Sequence, residues 1–490
     1  MIQEEAQRRS RLQTIREAGI NPYPSKAQRN ETVMSFLGGF ETLNKNGTVV
    51  ILSGRIRAIR KHGGLTFVNL QDETGNLQVV LMKDSFGEEA YAWFHNVMDV
   101  GDFVQVTGST FVTKKEESSL QAQNVILLTK SLLPLPEKWH GLSDVEVRYR
   151  KRYLDLLANP SINNIFRIRA LIVKTMREYL DRNGFVEVET PVLQMIPGGA
   201  SAKPFITHHE ALHQDMYLRI APELFLKRCI VGGFERVYEV ARCFRNEGVD
   251  HAHNPEFTQI EGYLAYADYQ ELMTFLERMV VEVIESCGLD PKAVPFQGDV
   301  LDFSTPWERI TFRDAVLKYA QIDIEDYHSR DEFAAIAIKL GVPVDKSDGQ
   351  MTIVDNIYKH FVRPNVLQPT FIHDHPVEIS PLAKRKESDP RYAEMFQLIF
   401  GKGQENMKAY SELNDPIDQE ARFAEQDQAR KGGDENAQFG DLDFVEALKY
   451  GMPPTAGFGI GIDRLTALLT DSHSIKEVIL FPALRQQMEE

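Results

Sequence analysis

The pattern of two β-strands joined by a polar loop is strongest in FERVYEVARCFRNEGVDHAHNPEFTQIEGY, residues 234–263. Residues 234–244 alternate apolar and polar side chains and are rich in β-branched and aromatic types, which is typical of a half-buried strand. Residues 245–255 are polar, contain a glycine and end at a proline, which indicates a loop. From residue 256 an aromatic-rich strand resumes. The sequence therefore predicts a strand–loop–strand hairpin.

The side chains at the two ends of this loop are suited to a nucleotide. Arg245 and Glu247 lie where the first strand meets the loop. His253 and Phe257 lie where the second strand begins. A guanidinium binds phosphate, a flat ring stacks on a base, and carboxylates bind amines or metal ions. So many specific groups in one short loop favour a nucleotide site over an ordinary hairpin.

Three segments resemble the motifs of the class II aminoacyl-tRNA synthetases, specifically the lysyl-tRNA synthetases of bacterial type. FRNEG with HNPEFT, at 244–258, is similar to motif 2. GFVEVETPVLQMIPGGASAKPF, at 184–205, is similar to motif 1, with Pro191 at its centre. GMPPTAGFGIGIDRLTALLTDSHSIKEVILFP, at 451–482, is similar to motif 3. The resemblance covers nearly the whole chain. It implies ATP-dependent attachment of L-lysine to tRNA(Lys) through a lysyl-adenylate, with release of AMP and pyrophosphate.

Length and composition indicate a multidomain globular protein. The chain has 490 residues, 43% hydrophobic and 26% charged, and is too long for one ordinary core. No apolar run reaches the ~18 residues of a membrane span, and the N-terminus lacks the apolar core of a signal peptide. The three cysteines form no CxxC pair, which suits a reducing cytoplasm. We therefore expect a cytoplasmic protein with no membrane partner.

The net charge leaves the macromolecular partner open. A charge of −16, taken alone, argues against a nucleic-acid binder, because phosphate contacts dominate such binding. The charge is unevenly distributed, however, and RNA needs only a local basic face. Basic clusters lie at 55–61 and 148–152, although either could be an ordinary solvated face. The resemblance implies that the nucleic-acid partner is tRNA and not DNA.

The N-terminal third has the pattern of a small β-barrel. Residues 3–18 have helical spacing, and residues 48–130 form short alternating runs separated by turns. Five such strands predict a five-stranded oligonucleotide-binding (OB-fold) barrel. We therefore divide the chain into a helical extension at 1–45, an anticodon-binding barrel at 46–133, a linker at 134–147 and a catalytic domain at 148–490.

The remainder of the chain predicts an α+β domain, in which an antiparallel sheet is flanked by helices. An amphipathic helix ends at Gly184, and the strands that follow form hairpins. Residues 431–438 have the composition of a polar loop. No GxxxxGK[ST] occurs, so a P-loop is not supported. The glycines at 457, 459 and 461 instead suggest a strand and helix start that approach a ligand closely.

The resemblance implies two catalytic arginines in an ATP site. Arg245 would bridge the amino-acid carboxylate and the α-phosphate, and Arg464, at a helix start, would hold the γ-phosphate. Phe257 would stack on the adenine and Glu247 would read its amino group. The full ATP-binding set implied is Arg245, Glu247, His253, Asn254, Phe257, Glu405 and Arg464.

The lysine site poses a separate physical problem, because a buried ammonium must meet carboxylates. The resemblance assigns the ε-amino group to Glu223 and Glu412, with the Tyr263 hydroxyl as a third partner. The α-amino group is assigned to Glu261 and the backbone of Gly199. The full lysine-binding set implied is Gly199, Glu223, Arg245, Glu261, Tyr263, Lys408, Tyr410 and Glu412.

Residues 395–413 depart from the family pattern. Gln397 stands where most relatives carry a glutamate that helps to bind Mg²⁺, and Lys408 stands where they carry an asparagine. Glu405 matches a second metal-binding carboxylate. Gln397 is a poorer ligand for Mg²⁺, although its carbonyl can coordinate. These differences bear on metal number and substrate affinity more than on reaction class.

In the barrel, the resemblance assigns the central anticodon base to Phe67 and Gln78, with Arg60 nearby. Phe67 could otherwise be a core aromatic of its strand. Two alternatives remain for the whole chain: an aspartyl- or asparaginyl-type class II ligase, and a non-catalytic RNA-binding relative. Motif 1 builds a two-fold interface in the family, so we expect a homodimer.

Overall fold

The computed structural model describes residues 2–135, 142, 144–346, 348–431 and 439–485. The chain divides into two compact units, Met1–Ser143 and Asp144–Glu490. Half of the predicted linker, at 136–141 and 143, lies outside the described residues. The predicted polar loop also lies outside them, apart from Lys431.

The first unit contains a closed barrel whose strands are joined in the order β1-β2-β3-β5-β4. The predicted five-stranded barrel is thus confirmed, and the predicted N-terminal helix is α1. The strands are β1 Val50–His62, β2 Leu65–Gln71, β3 Asn76–Met82, β4 Phe103–Val112 and β5 Ser118–Thr129. The helices are α1 Ile2–Glu17, α2 Val33–Gly38, α3 Phe40–Asn46, α4 Lys83–Phe86 and α5 Glu88–Val97.

Alternation along the strands separates the barrel core from its outer face. On β2, Val68 and Leu70 are buried in the core, whereas Phe67 and Asn69, which alternate with them, point outward and are half-buried. Strands β3 and β5 pair in parallel, and the other neighbouring pairs are antiparallel. The barrel has no open edge along this closed path, which removes unpaired backbone groups.

The second unit contains a mixed main sheet, smaller sheets and the helices that cover them. Its strands are β6 Val186–Glu187, β7 Leu193–Gln194, β8 Ile206–His209, β9 Gln214–Leu218, β10 Arg236–Phe244, β11 Glu256–Ala265, β12 Val294–Phe296, β13 Asp299–Leu301, β14 Glu308–Thr311, β15 Thr370–Pro376, β16 Arg385–Lys386, β17 Asp389–Phe400, β18 Gln404–Ser411 and β19 Thr455–Gly461. Its α-helices are α6 Val145–Arg150, α7 Arg152–Ala158, α8 Pro160–Arg182, α9 Glu223–Val231, α10 Tyr269–Ser286, α11 Phe312–Ala320, α12 Arg330–Lys339, α13 Gln350–Phe361, α14 Pro416–Lys431, α15 Leu442–Lys449, α16 Ile462–Leu469 and α17 Ile475–Val478.

The main sheet has the order β14-β15-β17-β18-β19-β11-β10-β6, and its central pairs are antiparallel. The predicted α+β class is therefore confirmed. The edge pairs β14–β15 and β10–β6 are parallel, which the hairpin pattern did not predict. Long connections separate the members of each edge pair, as parallel pairing requires.

The predicted hairpin is β10 and β11, with Glu239 opposite Glu261 and Cys243 opposite Phe257. Helices α8 and α10 cover one face of the sheet through a large apolar core. Among the residues that make this core are Met176 of α8, Leu276 of α10 and Ile460 of β19. The opposite face remains open for a ligand. Among the described residues, no helix is long and apolar enough to cross a membrane.

Candidate active site

The floor of the site is a strand without side chains on one face. Gly457, Gly459 and Gly461 occupy alternate positions of β19, and side chains alternate between the two faces of a strand. Lys408 and Tyr410 of β18 flank these glycines on one side, opposite Gly459 and Gly457. Glu261 and Tyr263 of β11 flank them on the other side, again opposite Gly459 and Gly457. Above this trough lies a cavity of about 930 Å³.

The three glycines differ in what surrounds them. A Cβ at Gly457 would lie 2.1 Å from Glu412 Oε1 and 2.5 Å from Tyr263 Cε1, so this position requires glycine. A Cβ at Gly459 would meet Glu261 Cγ at 3.6 Å, and one at Gly461 would meet Arg464 Cβ at 3.9 Å. Both are ordinary van der Waals distances. The space above Gly459 and Gly461 is therefore available to a ligand.

One end of the cavity is acidic and buried. Glu223 begins α9, and Glu412 follows β18. Only 5% of Glu223 and 1% of Glu412 is exposed. The Tyr410 hydroxyl donates to Glu223 Oε1 at 2.6 Å. Glu412 Oε1 is buried and makes no hydrogen bond to the described residues, so it can accept one from a ligand.

A buried ammonium that sequence reasoning missed lies behind these glutamates. Lys227 Nζ is 2.6 Å from Glu223 Oε1 and also forms an ion pair with Glu412 Oε2. Burial would lower the pKa of Lys227, but the two carboxylates raise it above its usual value. Burial raises the pKa of Glu412 well above the usual range, and Lys227 opposes that rise. The visible signal was the i,i+4 spacing of Glu223 and Lys227 in ELFLK.

Glu261 is the third carboxylate of the cavity. It is 7% exposed, and its Oε1 accepts from Gln259 Nε2 at 2.6 Å. The Tyr263 hydroxyl donates to its other oxygen at 3.3 Å. Burial and the nearby Glu223 raise the pKa of Glu261 to about 8. Gly199 has φ +84°, and a Cβ there would lie 2.8 Å from the Glu223 Cβ. The predicted α-amino site therefore lies beside the acidic end.

The other end of the cavity carries the two predicted arginines. The Arg245 guanidinium lies over the Phe257 ring, 4.9 Å from its centroid. Arg245 Nε is buried and makes no hydrogen bond to the described residues. Arg464 is the third residue of α16, and its Nη1 donates to the backbone carbonyl of Glu405 at 2.7 Å. This end is suited to a polyanion.

The loop between β10 and β11 contributes more exposed groups. The His253 ring contacts Asp250 Oδ2 at 2.9 Å, and this hydrogen bond lowers the pKa of Asp250 to about 2. The Asn254 side chain donates to the backbone carbonyl of Glu256 at 2.6 Å. Glu247 is exposed. All three predicted loop residues line the cavity.

The two residues that depart from the family lie opposite each other, Gln397 on β17 and Lys408 on β18. Gln397 Nε2 donates to Glu405 Oε1 at 3.3 Å, and Gln397 Oε1 accepts from the Tyr358 hydroxyl. Glu405 and Lys408 line the cavity, whereas Gln397 lies behind Glu405. Burial lowers the pKa of Lys408, and Glu405 opposes this.

The helices α11–α13 bring further cations that the sequence did not reveal. Lys359 and Arg363 line the cavity. Arg363 Nη2 donates to the Gly403 carbonyl at 2.6 Å, and its Nη1 is 3.6 Å from Glu405 Oε2. These residues belong to no motif, and tertiary folding alone brings them here. The structure thus gathers in one cavity these predicted residues: Gly199, Glu223, Arg245, Glu247, His253, Asn254, Phe257, Glu261, Tyr263, Glu405, Lys408, Tyr410, Glu412 and Arg464.

The three predicted anticodon residues lie together on the barrel. Arg60 of β1 is directly opposite Phe67 of β2. Gln78 of β3 is opposite Asn69, two pairs along from Phe67, and its amide donates to Ser119 Oγ at 3.1 Å. Phe67 is half-buried and is not part of the buried barrel core. The alternative that Phe67 is a core aromatic is therefore wrong.

Comparisons with known proteins agree over almost the whole chain. Residues 144–485 match the family model described as tRNA synthetases class II (D, K and N). Residues 50–128 match the model described as OB-fold nucleic acid binding domain. A lysine–tRNA ligase of Pelotomaculum thermopropionicum is 47% identical over 481 residues, which cover 98% of this chain and 94% of that protein. A lysine–tRNA ligase of Roseiflexus castenholzii is 48% identical over 483 residues, which cover 98% of each chain. One of Moorella thermoacetica is 48% identical over 484 residues, which cover 99% of this chain and 98% of that protein.

Proposed function

Because the chain belongs to the lysine–tRNA ligases of the class II synthetase family and attaches lysine to tRNA, we propose that the cavity over β19 is where lysine is activated by ATP. The observation that carries this proposal is that the two ends of the cavity carry opposite charge. Buried carboxylates of Glu223, Glu261 and Glu412 lie at one end, and the guanidinium groups of Arg245 and Arg464 lie toward the other. This polarity matches an extended lysine followed by a triphosphate.

The two alternatives are not favoured. An aspartyl- or asparaginyl-type site must bind a side-chain carboxylate or amide, for which cationic or amide donors are expected. The side-chain end here instead carries Glu223 and Glu412. The non-catalytic alternative rested on Gln397 and Lys408. Strong identity to lysine–tRNA ligases over 98% of the chain argues against both alternatives.

The acidic end would bind both amino groups of lysine. The ε-ammonium would lie between Glu223 and Glu412, with the free Glu412 Oε1 as one acceptor. The Tyr263 hydroxyl would be its third partner, and the Tyr410 ring would line the aliphatic stem. Glu261 and the Gly199 backbone would hold the α-ammonium. Each buried ammonium would thus meet a carboxylate, which offsets the cost of desolvating it.

Adenylate formation joins a lysine carboxylate oxygen to the α-phosphorus of ATP and breaks the bond from that phosphorus to the pyrophosphate oxygen. The protein needs no covalent nucleophile, because it can act by positioning and charge stabilisation. Arg245 would contact both the lysine carboxylate and the α-phosphate. Arg464 would hold the γ-phosphate near the start of α16, where the helix dipole favours negative charge. The Phe257 ring would stack on the adenine.

The remaining ATP contacts would come from the loop and from β18. His253 would approach the phosphates, and Asn254 would hold the loop around them. Glu247 would read the adenine amino group. Lys408 would donate to the lysine carboxylate and the α-phosphate, in place of the asparagine of relatives.

Class II synthetases are ATP-dependent ligases that generally need a divalent metal, and we propose Mg²⁺ here. Mg²⁺ in such sites is held by one or two carboxylates together with substrate phosphates. The Glu405 carboxylate at the cavity wall fits this donor set. Gln397 would orient Glu405 through its amide, and not serve as the second ligand. When bound, the ion would neutralise phosphate charge.

Outside the cavity, the outer face of the barrel would read the anticodon of tRNA(Lys), with a base stacked on Phe67 and contacts from Gln78 and Arg60. We also propose a homodimer. Apolar side chains of the motif 1 segment are exposed in the single chain, as expected of a surface that a second copy covers. They are Val186, Val192, Leu193, Met195 and Ile196. The free thiols of the three cysteines suit a cytoplasmic location.

Amino-acid-dependent exchange of labelled pyrophosphate into ATP tests the proposed site chemistry. We expect lysine, and neither aspartate nor asparagine, to support exchange without tRNA. A purified folded protein that exchanges with no amino acid would contradict lysyl-adenylate formation. Exchange with aspartate in preference to lysine would contradict the assignment of the acidic end.

A further inference from the structure

Lys227 is a charged residue of this cavity region that no step above uses. Its side chain is fully buried and lies on α9, one helical turn after Glu223. Its ammonium contacts Glu223 and Glu412 together. The rings of Tyr410 and Phe444 lie 5.5 and 5.9 Å from Nζ. The ammonium is therefore enclosed by the two carboxylates and two aromatic faces.

We propose that Lys227 is a positioning residue that also determines specificity, because it holds Glu223 and Glu412 and leaves them with one net negative charge. The acidic end would then accept one side-chain ammonium. This inference rests on the proposed assignment of Glu223 and Glu412 to the substrate ε-ammonium.

The charge balance follows from elementary electrostatics. Two carboxylates that share a dry site cannot both ionise easily, because each raises the pKa of the other. Burial raises the pKa of Glu412 and Lys227 opposes that rise, so a second ammonium, that of the ligand, allows both carboxylates to be ionised with one cation for each. A ligand without a side-chain charge would leave that carboxylate unpaired, which is costly in a buried site. Lysine would thereby be preferred over an uncharged isostere.

The geometry makes Lys227 act through the glutamates and not on the substrate. Lys227 does not line the cavity, whereas Glu223, Glu412 and Tyr410 do. It engages Glu412 through Oε2 and leaves Oε1 without a hydrogen bond to the described residues. The i,i+4 spacing on α9 fixes its position relative to Glu223 before any ligand arrives.

A double-mutant cycle that removes the two charges singly and together tests this role. In Glu412→Gln, Glu223 and Lys227 cancel, so the dissociation constant of lysine should rise by roughly ten- to a hundredfold, the cost of a hydrogen bond to a charged group. Adding Lys227→Met restores one net negative charge on Glu223. The double variant should therefore bind lysine more tightly than Glu412→Gln alone, by about tenfold or more. A packing role for Lys227 predicts the opposite, namely added damage.

Lys227→Met alone leaves the ammonium of lysine as the single cation for Glu223 and Glu412, so one of the two carboxyls should keep its proton in the complex and lysine binding should release fewer protons than in the wild type. Calorimetry in two buffers of different ionisation enthalpy counts these protons. The other titratable groups that face the pair are Tyr410, Tyr263 and Glu261. They remain in both proteins and cancel in the comparison. Lys227→Arg, which keeps the charge, should release as many protons as the wild type.

A third measurement does not need a Lys227 variant to fold. Glu412→Gln should lose the preference for lysine over norleucine, its isostere without the ε-amino group, because no net charge remains. Retained preference of about tenfold or more would show that Lys227 does not cancel Glu223 and would overturn the inference. A double variant of Glu412→Gln and Lys227→Met that binds lysine no more tightly than Glu412→Gln alone would also overturn the inference. If Glu412→Gln leaves lysine affinity unchanged, the proposed assignment of Glu412 itself is wrong.

Discussion

Lys408 lies directly opposite Gln397 in the antiparallel pair of β17 and β18. Its ammonium has no hydrogen-bond or ion-pair partner among the described residues, although burial lowers its pKa. Glu405 and Glu223 attract it, and Arg245 repels it. A buried cation of this kind needs an anionic partner, and under the proposed assignment the lysine carboxylate and α-phosphate would supply one.

We therefore predict that the wild-type protein activates lysine and that Lys408→Asn changes the KM for lysine only modestly. At ~6 Å and an effective dielectric of ~20, a single charge–charge contact contributes roughly 3 kcal/mol, of opposite sign for the ammonium and for the nearby anions. Attraction to the anions should win, because the ε-ammonium would lie at the far end of the cavity, beside Glu223 and Glu412. Lysine-dependent pyrophosphate exchange measures the KM for lysine in both proteins. A wild-type protein that activates no amino acid, but activates lysine after Lys408→Asn, would support the non-catalytic alternative.

Arg245→Ala should nearly abolish adenylate formation without unfolding the protein. The lost contact strengthens as charge develops, so about 3–4 kcal/mol of transition-state stabilisation should disappear. Steady-state pyrophosphate exchange measures the effect, with thermal unfolding as a check of the fold. Arg242, an exposed residue of β10 three positions before Arg245, provides the matched control as Arg242→Ala. Near-normal exchange in a folded Arg245→Ala protein would reject the assignment.

Gly459→Ala and Gly457→Ala should separate ligand space from protein packing. A methyl group at Gly459 meets only Glu261 Cγ at 3.6 Å, so the variant should fold with nearly wild-type stability and bind lysine or ATP poorly. A methyl group at Gly457 would lie 2.1 Å from Glu412 Oε1 and should lower the melting temperature as well. Differential scanning calorimetry with and without ligands compares the two. Unimpaired ligand binding by Gly459→Ala would contradict the placement of ligand on β19.

Lysine binding should strengthen as the pH rises toward Glu261's pKa of about 8, which burial and Glu223 raise. Below that pKa the carboxyl is protonated and cannot pair with the α-ammonium, so binding must expel a proton. The dissociation constant should fall between pH 6.5 and pH 8, as measured by calorimetry. Glu261→Gln should bind weakly and lose this dependence. A variant that keeps the wild-type pH profile would assign the titration to another group.

Phe67→Ala should weaken tRNA charging and leave lysine-dependent pyrophosphate exchange largely intact. Stacking of a base on an aromatic ring contributes about 1–3 kcal/mol, and Phe67 is outside the buried barrel core. Val68→Ala is the matched control, because Val68 is the next residue along β2 and its side chain is 3% exposed and points into the core. That control should lower barrel stability. Equal loss of charging and exchange in Phe67→Ala would argue against an anticodon role.

Local patterns predicted the elements that local physics determines. The hairpin of β10 and β11 was visible because alternation and turn residues lie in one continuous stretch. The parallel edge pair of β10 and β6 was not, because partners far apart in sequence leave no local signal. The motif 1 strand comprises only Val186–Glu187, and the chain soon reaches Pro191, which has no backbone donor.

The cavity residues were predicted where they belong to motifs, and Lys227 and Arg363 were missed. Lysine on a helix is ordinarily solvent-exposed, so the i,i+4 spacing of Glu223 and Lys227 by itself indicates no more than a surface pair. Because both side chains are buried, the pair instead forms part of the acidic end of the cavity. Arg363 reaches Glu405 only because α11–α13 pack beside β17, and no spacing in the sequence encodes that approach.

The bare face of β19 also ties catalysis to folding through strand register. Phe458 and Ile460 alternate with its glycines and point into the main core. A slip of one residue would exchange the two faces, so that bulky rings and methyl groups filled the trough and glycines left a hole in the core. The same pairing that keeps the enzyme folded therefore keeps the trough empty, and a misregistered chain would be unstable before it was inactive.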